Sequence, residues 1–191
     1  MIDGELQAAL DLSMECEERT RANSSDSFAA QILKGAYLVS AQILTAQGKF
    51  DLARERLDKA KELPDSFLID LDELMHTTEG YLLERSGQTT EVVKFYRKVA
   101  TPYALAQLGK IYFDAGRREK ALQVIKNSLK LNPSSPAAHA ILGEILERSD
   151  KAAALREYKR ALELASRGNP TIVAVIYIDV SRAKKGIQRL E

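Results

Sequence analysis

Apolar side chains recur at three- and four-residue intervals through most of this chain, the spacing that puts them on one face of a helix. Ile2, Leu6, Leu10 and Met14 make the first such stripe. Asn23, Ser24, Ser25 and Asp26 interrupt it, and Asp26 or Ser27 is placed to cap a long following helix. Leu105, Leu108, Ile111 and Tyr112 form another stripe, followed by Ala121, Leu122, Ile125 and Leu129. Between these two, Asp114-Ala115-Gly116 predicts a helix end, with Gly116 in the left-handed position that glycine takes without steric cost. Asn132-Pro133 ends the second helix, because proline lacks an amide donor and disfavours helix in the residue before it. The β-branched segment from Ile172 to Val180 reads as strand in isolation. Nothing else in the chain supplies a strand for it to pair with, so a packing helix starting near Asn169-Pro170 is expected instead.

This helix–turn–helix pattern is repeated. Gly48 and Gly116 lie 68 residues apart, twice an interval of about 34. Gly87 falls between them, displaced from the midpoint, which predicts a longer first helix and a short exit loop in that copy. Around Gly48 the recurring residues are Tyr37, Ala41, Leu44, Ala53, Leu57 and Ala60, and around Gly87 they are Gly80, Leu83, Val92, Tyr96 and Val99. After Pro136 come Leu142, Gly143, Leu146, Ala154, Tyr158 and Ala161, with one residue missing at the turn.

The copy from Pro102 to Pro133 resembles a tetratricopeptide repeat: Leu108, Gly109, Tyr112, Ala121 and Pro133 match its pattern W-x2-L-G-x2-Y, A-x3-F, P. Leu105 stands in the tryptophan position, Ile125 in the phenylalanine position and Ser128 in a small-residue position. The resemblance implies an all-α fold, a right-handed α-solenoid of antiparallel helix pairs in a superhelix. On that basis residues 1–33 are a helix and lead-in and residues 34–168 are four repeats (34–67, 68–101, 102–135, 136–168). Residues 169–191 are a capping helix with a basic tail. Small residues let two helices approach, while stacking buries the apolar face each unit would expose alone.

Composition narrows the chemistry. Of 191 residues, 45% are hydrophobic and 29% charged, which fits neither a disordered tail nor a membrane protein. The 28 Lys and Arg nearly cancel 27 Asp and Glu, giving a formal charge of +1 and no global attraction for nucleic acid. Asp3 and Glu5 stand where a secretory signal carries positive charge, the longest apolar run is far too short to span a bilayer, and no lipidation motif is present, so a cytoplasmic location is expected.

Catalysis finds no support. His76 and His139 fit no metal or catalytic spacing, Cys16 sits among acids that raise a thiol pKa, and no phosphate-cradling glycine loop occurs. No catalytic residue, metal ligand, cofactor or small-molecule substrate is expected. Nucleic acid would need a basic stripe interleaved with aromatics, and the clusters at Arg117-Arg118-Lys120 and Arg182–Arg189 fall short of one.

The family resemblance implies that the first helix of each unit lines a concave groove that holds a partner's segment. The matching positions here are Leu38, Gln42, Thr77, Tyr81, Arg85, Tyr103, Lys110, Phe113, Glu144 and Arg148. Members that clasp a terminal carboxylate carry a Lys/Asn pair at two groove positions, and no unit of this chain shows it. A non-catalytic protein-interaction adaptor inside a multi-protein assembly, taking a helical or extended segment, is the leading expectation. A self-assembling scaffold subunit and a small secretion or assembly chaperone for an aggregation-prone client are the alternatives.

Overall fold

A computed structural model describes residues 2–23, 27–64, 69–167 and 173–191. Its residues form two compact units, Met1–Thr89 and Thr90–Glu191. The described residues are helical with no strand, so the fold is an all-α helical repeat. No helix among them is long and apolar enough to cross a membrane.

The first unit contains α1 (Ile2–Asn23), α2 (Ser27–Ala46), α3 (Phe50–Glu62) and α4 (Ile69–Arg85). Helix α2 is its centre, packed by α1, α3 and α4. The reason is compositional: α2 reads SFAAQILKGAYLVSAQILTA, apolar or small on nearly every side, so burial on several faces is its stable state. The cap expected before α2 lies outside the described residues.

The second unit contains α5 (Thr89–Val99), α6 (Pro102–Asp114), α7 (Arg118–Leu131), α8 (Pro136–Leu146), α9 (Lys151–Arg167) and α10 (Val173–Leu190). Helices α6 and α7 form one hairpin and α8 and α9 the next, with α8 against both helices of the first and α10 against both helices of the second. Thus the apolar 173–180 segment is helical, as its lack of a pairing partner requires. The start expected at Asn169-Pro170 lies outside the described residues.

Three helix-ending turns use one device. Gly48, Gly87 and Gly116 have φ of 75°, 76° and 73°. At each, the glycine amide donates three residues back and the following amide donates five residues back: Gly116 to Phe113 at 2.9 Å and Arg117 to Tyr112 at 2.8 Å are typical. This double bond satisfies carbonyls that the helix end would leave open. The α8–α9 turn lacks a glycine. There Ser149 and Asp150 amides both return to the Leu146 carbonyl, and the Asp150 carboxylate accepts from Ala153 N at 2.8 Å, capping α9 instead.

Helix starts follow the same local logic. Thr101 Oγ1 accepts from Ala104 N at 3.2 Å before Pro102, and Ser135 Oγ accepts from Ala138 N at 3.3 Å before Pro136. Within the hairpins, glycines carry large partners. A Cβ at Gly109 would stand 2.6 Å from Ile125 Cδ1, and one at Gly143 would stand 2.8 Å from the Tyr158 ring. Gly186 of α10 presses on the other edge of that ring, so Tyr158 is clamped between two helices that each gave up a side chain.

Candidate functional site

The ten residues expected in a groove fall into different environments. Leu38, Gln42, Thr77 and Tyr81 are 0%, 1%, 4% and 4% exposed, so the expectation that they offer contact surface does not hold in this structure. The Gln42 amide is used internally: its Nε2 donates to Thr78 Oγ1 at 2.9 Å, and Thr78 Oγ1 donates in turn to the Leu74 carbonyl at 2.7 Å. The cause is the direct packing of α2 on α4, which turns the shared stripe of both helices into an interior seam. Burial also pushes the Tyr81 hydroxyl's pKa upward. Arg85 is exposed at the end of α4. Tyr103 is half-buried, its ring edge-on to Tyr96 with centroids 6.5 Å apart.

The remaining four come together in the second unit. The ends of α6 and α8 sit side by side, and the turn at Gly116 and the side chain of Arg189 complete a cleft of about 570 Å³. Phe113, Asp114, Arg118, Glu144, Glu147 and Arg148 line it. Lys110, one turn below, joins the two helices: its Nζ is 2.5 Å from Asp114 Oδ1 and 3.5 Å from Glu144 Oε1.

The electrostatics of the wall are set by α10. Arg189 Nη2 and the Tyr158 hydroxyl both donate to Glu147 Oε1, each at 2.5 Å. Burial alone would raise the Glu147 pKa, but these two donors outweigh it and hold the carboxyl below its usual range. Tyr158 shifts the opposite way, raised first by burial and then by its bond to the Glu147 carboxylate. Arg182 Nε lies 3.6 Å from Glu144 Oε2. The basic tail is therefore engaged in part, with Glu144 of α8 and with Glu147 just after it, and is not a free cationic end. Arg118 reaches from the start of α7 to donate to Ser149 Oγ at 2.6 Å.

Reasoning from groove positions missed Arg118 and Arg189. Arg118 sits at a turn, where a basic pair reads as solvated surface. Arg189 is 42 residues from its partner Glu147, and no local pattern announces that pairing. The one available signal was Gly186, a helical glycine three residues earlier that invites close packing of α10.

His139 links its hairpin to the preceding loop. Its Nδ1 is 2.6 Å from Glu157 Oε2 and its Nε2 is 3.0 Å from the Pro133 carbonyl, so both ring nitrogens are engaged within the unit.

A protein built of glycine-turned helix pairs, with a mixed polar and aromatic cleft where first helices meet, is a helical-repeat protein. Residues 107–169 match the family model of the tetratricopeptide repeat, and that stretch is similar to this family. Proteins of this family are generally non-catalytic interaction modules. A 106-residue stretch is 36% identical to the Protein CTR9 homolog of Arabidopsis thaliana, taking in 53% of this chain. The chain spans about a tenth (10%) of that relative's length. Among solved structures, BtubC (BKLC) from P. vanneervenii shares the fold at a TM-score of 0.58, with 18% identity over 97% of this chain and 89% of that one. YrrB, described as a TPR protein with an unusual peptide-binding site, aligns over 87% of this chain and 92% of that one, at 16% identity and a TM-score of only 0.41.

Proposed function

We propose that this chain is a non-catalytic, cytoplasmic protein-interaction adaptor that takes a helical or extended segment of a partner within a multi-protein assembly. The observation that carries this reading is the cleft of about 570 Å³ between the ends of α6 and α8. It offers one aromatic ring, Phe113, in a charged rim, the mix of anchor and polar surround that interfaces use. In this reading Lys110, Phe113, Glu144 and Arg148 form the contact surface, while Leu38, Gln42, Thr77 and Tyr81 support it from the interior. Four repeats (34–67, 68–101, 102–135, 136–168) with a lead-in and a cap are the organisation we assign.

The test is affinity purification of the full chain with mass spectrometry of bound proteins, run beside Phe113→Ala. Specific partners lost with the variant while its melting temperature holds support the reading. Their unchanged recovery would place binding elsewhere.

A second reading, self-association, has its own support. Leu12 and Phe28, on α1 and α2, are 68% and 60% exposed, and Met14 and Ile32 are exposed as well. Repeat arrays with apolar ends can associate end to end. Light scattering across a concentration series separates the two: an adaptor stays monomeric, whereas a scaffold subunit grows.

A further inference from the structure

We infer that the cleft of the second unit selects an acidic segment of a partner protein, one in which an apolar residue adjoins aspartate or glutamate. This rests on the interaction reading above and adds the chemistry of the occupant. The argument is an account of charges. Three carboxylates line the cleft, and all three are answered from within the unit: Asp114 by Lys110, Glu147 by Arg189 and Tyr158, and Glu144 by Lys110 and Arg182.

Two lining arginines have no such answer. Arg118 donates to the neutral Ser149 hydroxyl at 2.6 Å and pairs with no carboxylate among the described residues. Arg148 is exposed and has no hydrogen bond or ion pair among the described residues. Two lining guanidiniums are thus left with donors to spare and no carboxylate of their own. Guanidinium matches carboxylate in paired, parallel hydrogen bonds, a geometry that a compact ammonium cannot offer. Phe113 supplies the apolar contact beside them. A nucleic-acid backbone fits less well, because three carboxylates share the same wall and the chain's formal charge is only +1.

The experiment uses the full chain as bait for a displayed library of random peptides about 12 residues long. Enriched peptides should carry more acids than bases, with a large apolar residue next to an acid. A synthetic enriched peptide should bind about tenfold more weakly to Arg118→Ala/Arg148→Ala, the loss expected for removing a charged hydrogen-bonding partner. Phe113→Ala should weaken it too, and Arg118→Glu/Arg148→Glu should select basic peptides instead. Arg148→Glu alone, at an exposed and unpaired site, serves if the double variant folds poorly.

Peptides with no acidic bias, or the same peptides enriched on the charge-reversed variant, would overturn the inference and leave the adaptor reading standing. A labelled single-stranded oligonucleotide bound as tightly as the best peptide would overturn it as well. No enrichment at all on the wild-type chain would end both.

Discussion

Replacing Gly186 with alanine tests how α10 is fastened. A Cβ added there would fall inside contact distance of the Tyr158 ring, meeting Cε2, Cζ and Cδ2 at once. The ring has little room to retreat: Gly143 bounds the opposite edge, and its hydroxyl is tied to Glu147 at 2.5 Å. Alanine gains about 1 kcal/mol of helix propensity over glycine. Overpacking a closed site costs about 1–3 kcal/mol, and the rigid ring puts this case at the upper end. The net expectation is a destabilisation of about 1–2 kcal/mol, which lowers Tm by several degrees in a chain of this size. Gly4 is the control, since it lies in α1 with nothing within 4 Å of an added Cβ. Gly4→Ala should be neutral or stabilising by up to about 1 kcal/mol. Urea denaturation followed by circular dichroism reads both. Gly186→Ala as stable as wild type, with Gly4→Ala behaving as expected, would refute the clamp.

Three further outcomes follow from the same geometry. Tyr81→Ala should cost about 3–5 kcal/mol, the range for deleting a buried aromatic, because Tyr81 is 4% exposed, while half-buried Phe113→Ala should cost much less; equal losses in thermal melts would contradict their placement. Gly116→Ala should destabilise by about 1–2 kcal/mol, since φ of 73° is strained for any residue with a Cβ, and a neutral result in the same denaturation series would show that the turn relaxes. Glu147 has a folded pKa below its unfolded value, so its contribution is complete above pH of about 4.3 and is lost as pH falls through the lower folded value. The gap in stability between wild type and Glu147→Gln should therefore narrow from pH 7 toward about pH 3, and a constant gap would remove Glu147 from the acid response.

The parts of the fold visible in the chain are those decided locally. Gly48, Gly87 and Gly116 announce their turns because only glycine accepts a positive φ cheaply, and Pro102 and Pro136 announce helix starts because a first-turn proline forfeits no bond. Gly109 opposite Ile125 and Gly143 opposite Tyr158 were legible as close contacts through their repeated spacing. The displaced Gly87 signalled a longer first helix, and α4 does run 17 residues against 13 in α6.

The site was legible only in part. A groove position on one helix is surface or seam according to what packs on it, and helical phase does not carry that information. In α6 and α8 the positions at Lys110 and Glu144 stay half-open and pair with each other. In α2 the corresponding Gln42 is sealed against Thr78 of α4. Arg189 escaped for a different reason, since its role depends on where a distant helix docks.

Hydrogen–deuterium exchange of the full chain, free and saturated with a partner recovered by affinity purification, addresses the central claim most directly. The account predicts slowed exchange at residues 110–118 and 144–149, the two helix ends and the turn that frame the cleft. Protection confined to α7 and α9, or to the first unit, with those two stretches unchanged, would contradict it.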